Sequence, residues 1–308
     1  MAQVHGRLAA RLTLTVFMDI PGLYGTSPRR LAKRAILQFL QHDMLTQARA
    51  VTFQVLFAFF PFIIFFMALL GFFELSALFD WLRQRSEVFF LAQTAPQINL
   101  IFDQLQQRRE GMLSFGMVFS VWASSSAMRS MMKALNVVYG VKEQRPVWKR
   151  YGGSIVATLV VGTSLATAAT LLLVQPQAMQ ALAVYLGLHR GFAALWSWWL
   201  RWPAIFLLLT ATVTVIYWAA PDVQQRFRFV TPGAFVAVLA WSAATFAFDF
   251  YVRNIAEYDR LYGSVGTAVV LLLYFFISIF IVLFGAELNA AVEHFAPTGK
   301  DSGEKALP

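Results

Sequence analysis

Few residues in this chain can do chemistry, and their spacing argues against most of it. The four histidines, His5, His42, His189 and His294, are scattered, and none forms an H-x-H or H-x-x-x-H pair. A metal-dependent hydrolase needs several histidines and carboxylates converging on one or two ions, to generate hydroxide and clamp phosphate oxygens. That pattern is missing here, so no metal or other cofactor is expected. With no cysteine there is no thiol nucleophile, no disulfide and no Cys-ligated metal. The sequence also lacks a G-x-S-x-G elbow and a G-x-x-x-x-G-K-[ST] phosphate loop. An enzyme is therefore not expected, and no catalytic residue is assigned. The polar residues that stand out are Arg129 and Asn136, Asp249 and Arg253, Tyr258 and Tyr262, and Glu287 and Asn289. Pro61 joins them as a helix-bending position.

The elements that carry these residues follow from composition. Of 308 residues, 58% are hydrophobic and only 13% charged, with 30 Phe. A soluble chain carries about a quarter charged residues, so much of this surface faces something other than water. Six uncharged runs are long enough, or nearly so, to cross a hydrocarbon core of roughly 30 Å as helices. They are Ala50–Phe73, Gly111–Met128, Tyr151–Leu188, Trp202–Pro221, Phe229–Phe248 and Leu261–Ala286. The second is expected to continue to Tyr139 as a helix with a polar end. Gln175-Pro176-Gln177 cuts the third, leaving a helix to about Val174. None shows period-two alternation, so the expected fold is an all-α polytopic membrane helix bundle with about six transmembrane helices.

Orientation follows the basic residues near span ends. Arg29, Arg30, Lys33, Arg34 and Arg49 precede the first span, and Arg129, Lys133, Lys142, Arg145, Lys149 and Arg150 lie around the link between the second and third. Both regions are expected in the cytoplasm, giving an N-in/C-in chain. The net charge of +9 is thus read as an orientation and headgroup signal, and nucleic acid is not an expected partner. Three parts are anticipated: a basic cytoplasmic segment over 1–45, a membrane domain over 46–293, and a disordered cytoplasmic tail over 294–308. The outer link 74–110 has apolar residues at helical spacing and is read as interfacial helices. Trp196, Trp198, Trp199 and Trp202 mark an outer interface.

Depth along the spans sorts the polar candidates. Arg129 comes about eighteen residues into span two, roughly 27 Å across, and Glu287 about twenty-three residues after Ser264, roughly 34 Å across. Both reach the inner interface, where Arg129 and Glu287 are expected to pair, with Asn136 and Asn289 hydrogen-bonding nearby. The pair reads either as a folding clasp or as a substrate site. Asp249 and Arg253 fall at the outer interface with Tyr258 and Tyr262, which read as belt anchors or site residues. Pro61 frees the carbonyl of Phe57 near mid-membrane, as a packing kink or a hinge. No charge falls at the midplane, which counts against a pump built on a central carboxylate.

Ser124–Asn136 with Tyr139-Gly140 and Arg145-Pro146, then Pro232-Gly233, Tyr258 with Tyr262-Gly263, and Gly285–Asn289 form a pattern that runs from roughly Arg34 to Glu293. In this order the chain resembles the YihY/virulence factor BrkB family, formerly labelled ribonuclease BN. The resemblance implies a six-span protein of the bacterial inner membrane with transport-like and envelope-related roles, and it supplies no catalytic set. From the residues themselves, an uncharged interior between polar interfaces suits either a molecule with an apolar body and a polar head or simply a well-packed bundle. The expected function is movement or handling of lipid-like or other amphipathic molecules for the cell envelope. The alternative is a non-transporting scaffold that organises envelope protein partners. Membrane lipids are expected partners in either case.

Overall fold

The computed structural model describes residues 28–72, 110–173, 199–223, 231–254 and 264–295. Among them the regular structure is helical: α1 Pro28–Gln41, α2 Met44–Phe72, α3 Glu110–Val138, α4 Val147–Leu173, α5 Arg201–Ala219, α6 Pro232–Asn254 and α7 Ser264–His294. The expected outer link, Trp196 and Trp198, Tyr258, Tyr262 and the tail from Ala296 lie outside the described residues.

Helices α2 to α7 fall on the six expected runs, as far as these lie within the described residues. Five of them, α2 and α4 to α7, are long and apolar enough to cross a membrane by length and composition. In helix α3 the polar end, with Arg129 and Lys133, is continuous with the apolar run, and the helix continues to Val138. α4 is described to Leu173, and the expected break at Gln175-Pro176-Gln177 lies outside the described residues. Pro61 sits inside α2 and is buried. Thr231 caps α6: its hydroxyl accepts from the backbone N–H of Ala234 at 3.4 Å, and its carbonyl accepts from Phe235 at 3.0 Å. Pro232 follows at the first helical position, where its missing N–H costs nothing.

α1 is a helix the apolar-run reading did not anticipate. Leu31, Ala35 and Phe39, one turn apart, are buried, and the ring of Phe39 lies 4.8 Å from that of Phe280 on α7. Spacing of i, i+4, i+8 is the signal that marks such a helix, but here it sits among arginines and lysines. α1 joins α2 through His42 and Asp43, the latter with φ of 48°.

Each of the helices α2 to α7 packs on the next in the chain, and α7 returns to α2, α3 and α1. The main apolar core joins Met44, Ala48 and Val51 of α2, Met131 to Val138 of α3, Tyr217 of α5, Ala234 of α6, and Leu283 and Ala286 of α7. All lie toward the same ends of these helices, the ends carrying Arg129 and Glu287. α6 and α7 meet through glycines. A Cβ on Gly285 would stand 2.6 Å from Ala237 Cβ and 2.7 Å from the carbonyl oxygen of Gly233, so only hydrogen fits. Away from this core the helices present large apolar side chains outward, including Phe53, Phe60, Val156, Leu159, Leu207, Leu239 and Phe246. Such a surface is stable against hydrocarbon and not against water. The chain is a multi-pass helical membrane protein.

The hydroxyls along these helices follow the same solvent. Those of Thr52, Thr158, Thr163, Thr210, Thr212, Ser242, Thr245 and Ser278 each donate to the carbonyl four residues earlier, at 2.7–2.8 Å. A hydroxyl whose proton is held by its own helix presents little polarity to its surroundings.

Candidate functional site

The polar residues gather where the core is tightest, in three groups. The first is centred on Glu287. Its side chain is 0% exposed on α7, and Oε1 lies 2.7 Å from Nδ1 of His42 in the α1–α2 turn. The other oxygen, Oε2, is buried and has no hydrogen-bond partner. The hydrogen bond to Glu287 and the attraction of its carboxylate raise the pKa of His42 against the opposing effect of burial.

A second group fastens the α3–α4 loop to the end of α5. Arg145 donates from Nε to Glu143 Oε1 and from Nη2 to Glu143 Oε2, both at 2.8 Å, and also to the carbonyl of Ala220 at 2.8 Å. Asn136 bridges the two sides. Its amide donates to Glu143 Oε2 at 3.1 Å, and its carbonyl accepts from the backbone N–H of Asp222 at 2.7 Å. Asp222 in turn accepts from the N–H of Gln144 at 2.9 Å. The hydrogen bond from Arg145 holds the Glu143 carboxyl below the usual carboxylate range. Tyr217 adds an apolar-side tie, its hydroxyl donating to the carbonyl of Val282 on α7.

The third group lies between α3 and α4. Nη1 of Arg129 donates to Ser125 Oγ at 2.8 Å and to Ser154 Oγ at 3.3 Å. The guanidinium stands over the ring of Tyr151, 4.3 Å from its centroid.

This geometry corrects the expected pairing. Arg129 and Glu287 sit at the same end of the bundle but face different neighbours: Arg129 turns to α4, and Glu287 turns to the start of α2. Asn136 is committed to Glu143 and Asp222 instead of to either of them. Asn289 donates to the hydroxyl of Tyr139 at 3.5 Å, a long contact. Asp249 is exposed on α6, far along the helix from all three groups; Arg253 lies on the last turn of the same helix. His42, Glu143, Arg145 and Asp222 are the residues that sequence reasoning missed as partners. The signal for Arg145 was its place before Pro146 in the recurring pattern; a lone histidine or aspartate in a link gives none.

The helix order, the packed glycines and the polar groups at one end can now be set beside known proteins. A family model described as virulence factor BrkB matches residues 35–307. The chain belongs to this family. Among BrkB relatives, the ribonuclease-like protein YfkH of Bacillus subtilis is 28% identical over 259 residues, covering 84% of this chain and 93% of YfkH. A UPF0761 membrane protein of Paraburkholderia xenovorans is 26% identical over 86% of this chain and 60% of its own length. Another, from Chromohalobacter salexigens, is 29% identical over 85% of this chain and 62% of its own. The chain thus spans about three fifths of these UPF0761 relatives. No solved structure matches it. The family description names a virulence factor and the UPF0761 names are those of membrane proteins, neither being that of an enzyme class, and the ribonuclease-like label is said of YfkH.

Proposed function

We propose that this BrkB-family protein moves or handles lipid-like, amphipathic molecules in the bacterial inner membrane, with six spans and both ends in the cytoplasm, and that it is not an enzyme. One observation carries the reading. Along the described spans, charged side chains are confined to the helix ends, and hydroxyls between them, such as those of Thr158, Thr210, Ser242 and Ser278, are bonded back into their own helices. Two depart from this: Thr214 Oγ1 is buried without a partner, and Ser126 donates to Gln54 at 3.3 Å. A route for a hydrated ion or sugar needs free donors, acceptors or charges at depth. A wall of this kind instead suits an acyl chain, with the polar head kept to the end where the charges lie. His42–Glu287 and the Glu143–Arg145–Asp222 group then act as fastenings of the inner end.

The test is reconstitution of the purified protein in liposomes containing fluorescent phospholipids and labelled lipid precursors, followed by dithionite or extraction assays of their movement between leaflets. Movement above that of empty liposomes is expected. No movement for any lipid class tested would overturn transport and leave the scaffold role, in which the protein organises envelope partners.

A further inference from the structure

The Arg129 group has a property the other two lack: its positive charge is uncompensated. Among the described residues Arg129 makes no ion pair, whereas Arg145 and His42 each have a carboxylate. Its nearest groups do not neutralise it. The Ser125 and Ser154 hydroxyls spend their protons on the carbonyls of Trp122 and Tyr151, at 2.9 and 2.8 Å. Each therefore offers only a lone pair, and both lone pairs fix the same nitrogen, Nη1. The donors on Nε and Nη2 are left over, on a half-buried guanidinium that stands over the Tyr151 ring.

More positive charge converges there. Lys133 is one turn along α3 and exposed. Arg150, in the first turn of α4, brings its guanidinium to 5.7 Å from the same Tyr151 ring, and its Nε is buried without a partner. The first turn of α4 holds no acidic residue, although a helix N-terminus favours negative charge and disfavours lysine and arginine. Trp148 beside it is 70% exposed, as an indole at the headgroup level would be. Two arginines, an unbalanced helix start and a fixed aromatic platform make a half-built anion site at the membrane surface.

We infer that the α3–α4 face at Arg129, Arg150 and Tyr151 binds a phosphate-bearing group, the headgroup phosphate of an anionic lipid. The planar guanidinium donors left free on Arg129 match phosphate oxygens, and Arg150 closes the site from the α4 side. This names the headgroup chemistry for the function proposed above and rests on that reading for its biological meaning, but binding is measurable without transport.

The experiment is a titration of the purified full-length protein, in neutral detergent, with phosphatidylglycerol and with phosphatidylcholine, read by native mass spectrometry and by thermal shift. Phosphatidylglycerol is expected to bind more tightly than phosphatidylcholine. Arg129→Gln and Arg150→Gln are each expected to weaken it about fivefold, the effect of one basic residue at a charged membrane surface. Arg129→Lys should recover part of the loss, and Arg49→Gln, at an exposed arginine on α2, should change nothing. If Arg129→Gln does not fold, Arg150→Gln carries the test. Inorganic phosphate and glycerol 3-phosphate form the soluble arm: displacement of the lipid by either at millimolar concentration supports the phosphate site and identifies a free anion as a second source. Equal binding of the two lipids, or an equal loss in Arg49→Gln, overturns the inference. Flux without this selectivity would overturn the site alone, and selectivity without flux would overturn transport alone.

Discussion

Removing His42 exposes what the Glu287 contact is worth. In His42→Ala the carboxylate loses the partner 2.7 Å from Oε1 while Oε2 already has none, so a side chain with 0% exposure is left wholly unpaired. Breaking a buried pair from one side costs about 3–5 kcal/mol. The imidazole keeps 22% of its surface exposed, so water can replace part of what is lost and the expected cost falls to about 2–3 kcal/mol. Glu287→Gln keeps an acceptor for His42 and should cost only about 1 kcal/mol. With Gln at 287, removing His42 strands no charge, and the double variant should lie close to Glu287→Gln alone. The cycle therefore carries a coupling of about 2 kcal/mol. Thermal unfolding in detergent, followed by loss of the monodisperse peak on size exclusion, should place His42→Ala roughly 4–12 °C below the parent. The pH dependence has a definite sign. Because the folded-state pKa of His42 is raised, its contribution is complete below the free-histidine value near 6.5 and is lost as pH rises through the folded pKa. His42→Ala should thus lose more stability at pH 6 than at pH 9. Strictly additive losses across the cycle, or the opposite pH trend, would refute the reasoning.

Other outcomes follow from the same geometry. Gly285→Ala places a Cβ 2.6–2.7 Å from Ala237 and the Gly233 backbone, so α6 and α7 must part by about 0.7 Å to reach ordinary contact, at a cost of roughly 1–3 kcal/mol; a melting temperature equal to the parent's would count against the close approach. Asn136→Ala removes both bridging bonds of the α3–α5 fastening and should cost about 1–3 kcal/mol, with faster amide exchange at Asp222 and Gln144 as the local readout. Glu143 has its pKa lowered, chiefly by Arg145, so its contribution is present above the free-carboxyl value near 4.5 and fades as pH falls through the folded value. Glu143→Gln should accordingly narrow the gap between stability at pH 7 and at pH 4, measured by the same unfolding assay. Tyr217→Phe removes the donor to the Val282 carbonyl and is expected to lower stability by about 1 kcal/mol; no change would mean that the carbonyl finds another donor.

The fold was largely legible because a bilayer imposes one length and one solvent on every span. The continuation of span two into a polar helix and the start at Pro232 both followed from local chemistry that no distant contact could override. The partners of the polar residues were another matter. Counting residues along a helix gave the level of Arg129 and Glu287 but not the direction each faces around the bundle, and two residues at one level can turn to different neighbours. His42 carried no periodic signal, because a single histidine in a two-residue turn has no pattern to belong to. Gly285 could be picked out as part of a motif, yet what it meets, a tyrosine and another glycine, is a long-range fact.

The order of packing has a consequence for how the protein is made. Since each helix rests on the one synthesised just before it, every hairpin leaving the ribosome already has its neighbour waiting in the membrane. The exception is α7, the last of the described helices in chain order, which touches α1, α2, α3 and α6. Until it arrives, Gly233 lacks the Gly285 carbonyl, His42 lacks the Glu287 carboxylate, and the apolar side of α1 lacks Phe280. Helix α7 is therefore the keystone among the described helices, and chains cut before it should insert into the membrane but remain open to quality-control proteases.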